Sequence, residues 1–181
     1  SKSRGLGDVY KRQDQARGVP GVERVIPIVS QFVIFDLHDE KIVAYMVGYE
    51  PKQGGGPWQL KIGRLPTKDH DVVIDWIMAD QHGFALGDTI DILDETFTVV
   101  GLSDGTHSWM ASFFFIDKRA AERLILTPDA TSFLLLTLEP TADKTAVINR
   151  LQRRLRDAEI VSAATMRQND LDLLLSLIHI S

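Results

Sequence analysis

Alternation of apolar and polar positions is strongest between Ala79 and Gly101, where a helix-like run stops at Gly83 and Gly87-Asp88 precede two short strand patterns. Ile90 and Ile92 share one face and Asp91 points away. Asp94-Glu95 fall where a hairpin turn belongs, and Phe97 with Val99 form the returning face. Upstream, Asp75 is placed to cap a brief helix ending at His82, with Gly83 as the residue that stops it. A short strand through Val72, Val73 and Ile74 leads into that helix. Residues 60–110 thus read as a small β-rich unit.

On either side the patterns change. Strands are predicted at Arg24–Val29, Gln31–Asp36 and Lys41–Tyr49, the last two joined by a turn at His38-Asp39-Glu40. The segment PKQGGGP, 51–57, is a loop. After the apolar run WMASFFF at 109–115, Asp117 is placed to cap a helix that buries Ala120, Leu124 and Ile125. Trp109, Met110 and Phe113 to Phe115 cannot all face one side of a strand, so both faces are covered or part of the set is exposed. Ser132–Leu138 is a nearly continuous apolar strand. Asp143–Arg156 is an amphipathic helix with Arg153, Arg154 and Arg156 at its C-terminal end, where cations complement the helix dipole, and Glu159–Ala163 returns as a strand. The fold class expected is α+β.

The two ends differ from this. Residues 1–13 carry no core-sized apolar set, and 173–181 form an apolar tail without a cap; both resemble translated adapter sequence and are set aside from functional reasoning.

Composition narrows the chemistry. With 44% hydrophobic and 25% charged residues, the 181-residue chain is an ordinary globular one. Its net charge of −5 gives no general attraction for nucleic acid, and the absence of cysteine excludes disulfides, thiolate zinc sites and iron–sulfur ligation. The triple glycine Gly54 to Gly56 is followed by neither Lys-Ser nor Lys-Thr, so it lacks the make-up of a phosphate loop. His38, His70, His82 and His107 have no second histidine at a metal-ligand spacing. Ser103, Asp104, His107 and Ser108 offer nucleophilic parts without an oxyanion site. No cofactor, metal or catalytic residue is expected.

Taken in order, Gly63, Arg64, Val72 to Ile74, Ala79, Gly83, Gly87, Asp88, Phe97, Val99 to Gly101, and later Phe133, Leu135 and Leu138, resemble the extracytoplasmic core domain of MacB/FtsX-type ABC-transporter permeases. Pro20-Gly21-Val22 and Val25 to Pro27 resemble the segment after the first membrane helix of such proteins, and GGGPW at 54–58 is similar to the DevC-like or haem-export-like branch. The resemblance covers about residues 14–172. It implies a mixed, porter-like α/β part made from 14–59 and 111–172, with 60–110 inserted as a β-rich subdomain. The usual first strand and most of the first helix are missing from the pattern.

The resemblance further implies a non-catalytic role in a bacterial inner or plasma membrane protein, with this domain outside the cytoplasm. A cytoplasmic ATP-binding subunit, a second permease copy and a periplasmic or substrate partner are the implied associates. Trp58, Trp109 and Met110 are the expected substrate or partner contacts, while Gly63, Arg64, Gly83, Gly87, Asp88 and Gly101 are expected to serve the fold. The alternative role is a protein-interaction module that regulates a cell-wall hydrolase.

Overall fold

A computed structural model describes residues 2–57, 59–106, 112–126, 133–162 and 173–177. The fold is mixed α/β: several helices and a many-stranded sheet, organised as two compact units, Val29–Ala130 and the combination of Ser1–Ile28 with Thr131–Ser181. The strands expected at Arg24–Val29 and Gln31–Asp36 are one continuous strand, β1 (Val22–Leu37), whose two halves pair with different partners.

In the unit 29–130, β1 is followed by β2 (Glu40–Tyr49), β3 (Leu60–Gly63), β4 (Asp71–Asp75), helix α2 (Trp76–His82), β5 (Thr89–Ile92), β6 (Glu95–Ser103), β7 (Ser112–Asp117) and helix α3 (Lys118–Leu124). The order across the sheet is β3-β6-β4-β7-β2-β1, with β5 also paired to β6. Two-residue turns at His38-Asp39 and Leu93-Asp94, all four residues at positive φ, close the β1–β2 and β5–β6 hairpins. The second turn sits one residue earlier than the expected Asp94-Glu95, because Glu95 already pairs with Ile92.

One face of this sheet carries the core: Val33 and Phe35 of β1, Met46 of β2, Ile74 of β4, Phe97 of β6 and Phe114 of β7. Met78 and Ala79 of α2 and Ala120 and Ala121 of α3 pack on it. Helix α3 comes very close to β2, and a Cβ placed on Gly48 would stand 2.3 Å from the Cβ of Ala121. Neighbouring residues of β7 point to opposite faces, as period-two geometry demands, so Phe114 and Phe115 are both buried while Phe113 is partly exposed.

The other unit holds helix α1 (Lys2–Arg17), the first half of β1, β8 (Phe133–Leu138), helix α4 (Lys144–Arg154), β9 (Glu159–Ser162) and β10 (Leu173–Leu177). Residues 22–28 of β1 run antiparallel to β8, and β10 lies between β8 and β9, antiparallel to both. Its core joins Val22, Val25, Leu134, Leu136 and Leu138 to Val147, Leu151 and Leu155. Both segments set aside in the sequence take regular structure, residues 2–13 within α1 and 173–177 as β10. A strand ladder is made by main-chain N–H and C=O groups, so an extended apolar segment can enter it whatever its side-chain pattern. No described helix is long and apolar enough to cross a membrane.

Candidate functional site

Of the residues expected to contact a substrate or partner, Trp58, Trp109 and Met110 all lie outside the described residues. The structure brings the expected motif residues together in two groups. Gly63 pairs with Gly101 across β3 and β6, and the Arg64 N–H donates to the Val100 carbonyl at 2.9 Å. The two backbones approach so closely that a Cβ on Gly63 would meet the Val100 oxygen at 2.4 Å, and one on Gly101 would meet the Arg64 oxygen at 2.4 Å. Only glycine fits such an approach.

The second group links α2 to β5. Asp75 caps α2 by accepting from Ile77 and Met78 N–H, and Gly83 ends it in the left-handed conformation at φ 72°. The Asp88 carboxylate accepts from Ala85 N–H at 2.8 Å, its carbonyl accepts from Val99 N–H, and Gly87 N–H donates to the Val99 carbonyl.

Arg64 has a second partner that spacing alone did not reveal. Its guanidinium donates to the buried Asp71 carboxylate at 2.8 Å, and the same oxygen accepts from the N–H groups of Thr67 and Lys68 at 3.0 Å each. Burial pushes the Asp71 carboxyl up, but these donors outweigh it and hold the group below its usual range. The sequence clue was a turn-forming Arg-Leu-Pro-Thr run ending four residues before an acid that starts a strand.

A buried polar chain lies at the far end of β4 and β6. The Thr106 hydroxyl donates to Asp75 Oδ2 at 2.6 Å, so with its single proton spent it accepts from Ser103 Oγ, also at 2.6 Å. Ser103, Thr106 and Asp75 are all buried, and Trp76 Nε1 donates to Asp104 at 3.0 Å. Ser103 is thus bound into the structure through its hydroxyl; His107 and Ser108 lie outside the described residues.

The described histidines are dispersed. His38 stacks on Phe84, His70 Nε2 lies 3.3 Å from Glu95, and His82 Nδ1 lies 3.8 Å from Glu40. Arg123 of α3 completes a surface network with Asp69 and Glu95, which holds its guanidinium still more firmly protonated than usual. Among the described residues no three His, Asp or Glu side chains are grouped to hold a metal ion.

Two surface features remain. On the face of the larger sheet opposite α2 and α3, Phe32, Ile34 and Val43 are about half exposed, and Tyr45 makes edge contacts with both Phe32 and Phe113. In the other unit a cleft of about 300 Å³ is lined by Lys11, Arg12, Gln15, Arg154, Arg156 and Asp157. Leu155 and Ala158 complete the lining, which is mainly polar and charged, unlike the mostly apolar walls of small-molecule pockets.

Comparison with known proteins gives these features a setting. A family model described as MacB-like periplasmic core domain matches residues 3–154. A search of curated proteins returned no match. Among solved structures, the extracellular domain of the noncanonic ABC-type transporter YknZ from Gram-positive bacteria is similar at a TM-score of 0.61 and 16% identity, covering 81% of each chain. The periplasmic region of MacB from Actinobacillus actinomycetemcomitans is similar at a TM-score of 0.61 and 16% identity, covering 91% of this chain and 77% of that one. The chain belongs to the MacB-like periplasmic core domain family, and its fold is similar to those of extracytoplasmic domains of ABC-type transporters.

Proposed function

We propose that this domain couples ATP hydrolysis on a cytoplasmic subunit to the export or extraction of a hydrophobic or amphiphilic substrate, as the outer part of a permease anchored in a bacterial inner or plasma membrane. The observation that carries this reading is the family match over residues 3–154. The ATP-binding subunit acts through the permease's membrane part, a second permease copy pairs with the first, and a periplasmic protein or the substrate meets the domain. Trp58, Trp109 and Met110 supply apolar contacts in this reading, and residues 60–110 act as the inserted β-rich subdomain. Support for an apolar contact comes from the half-exposed Phe32, Ile34 and Val43 on the sheet that β7 joins, the strand that follows Trp109 and Met110 in sequence.

The test starts from the native reading frame. Flanking apolar helices and an adjacent ATPase gene are expected. The complete permease and ATPase, reconstituted in vesicles, should then move an amphiphile in an ATP-dependent way. A native frame without membrane spans would overturn the reading. Spans and an ATPase without transport, but with ATP-dependent activation of a cell-wall hydrolase, would assign the domain to regulation instead.

A further inference from the structure

We draw no further inference here: the strongest candidate, the exposed apolar face that Phe32 and Ile34 of β1 and Val43 of β2 form beside Tyr45 and Phe113, carries nothing because nothing in the structure shows what covers it.

Discussion

Replacing Asp71 tests whether one buried oxygen holds the turn between β3 and β4. Asp71 Oδ2 takes three nitrogen donors: Arg64 Nη1, Thr67 N–H and Lys68 N–H. A hydrogen bond to a charged group contributes about 1.5–3 kcal/mol. Arg64 is half exposed, so its share falls below about 1 kcal/mol. Thr67 and Lys68 are exposed residues whose N–H groups regain water in part, which brings Asp71→Ala to about 2–4 kcal/mol. Asp71→Asn keeps an acceptor but not the charge and should lose about 1–2 kcal/mol. Arg64→Met should lose less than either.

Urea unfolding followed by tryptophan fluorescence measures the three variants, and repeating it from pH 7 downward adds a second signature. Because the folded Asp71 value is depressed, its contribution is complete above the unfolded value of about 3.9 and is lost as pH falls through the folded one. The parent should therefore lose more stability on acidification than Asp71→Asn does. The reasoning fails if Arg64→Met costs as much as Asp71→Ala, or if Asp71→Asn keeps the full acid loss.

Gly48→Ala should destabilise by about 1–3 kcal/mol in thermal unfolding, since its methyl would enter the Ala121 methyl, and adding Ala121→Gly should restore most of the loss. Gly63→Ala should cost well over the ~1 kcal/mol expected for Gly87→Ala: both have φ near 90°, but only the first meets a carbonyl oxygen, and equal melting temperatures would contradict this. Thr106→Val strips a hydroxyl from the buried Asp75 and should cost about 1–3 kcal/mol, with hydrogen exchange accelerated at the N–H groups of Ile77 and Met78; unchanged exchange there would separate the hydroxyl from the helix cap. Burial first, and Asp117 second, raise the Tyr49 phenol, so stability should fall as pH rises above about 10, and Tyr49→Phe should remove that part of the loss.

Much of the local structure was legible because it is decided by residues close in sequence. Asp75 and Asp117 start their helices as caps and Gly83 ends one, in each case within a turn of the backbone they serve. The β5–β6 faces follow from alternation alone. What escaped depends on distant partners. Nothing near Ser30 says that the chain continues straight there, since β8 pairs with one half of β1 and β2 with the other. The short strand β3 was unread because Leu60–Gly63 earns its place by pairing with Leu102 and Ser103, forty residues on. Arg64 was recognised as a motif residue, yet its bond to Asp71 needed the turn geometry.

The division of β1 also has a consequence for the order of folding. Residues 22–28 find their partner only when 133–138 have been made, whereas the strand pairings of the described residues within 29–130 lie inside that stretch. During synthesis the second half of β1 can therefore enter a finished sheet while the first half still waits. Closing a free loop of about a hundred residues is entropically slow, but a folded insert removes most of the chain that would have to be gathered. By topology the β1–β8 ladder therefore forms after the strands of 29–130 have their partners, and the ladders of β10 with β8 and β9 wait longer still, for residues 173–177.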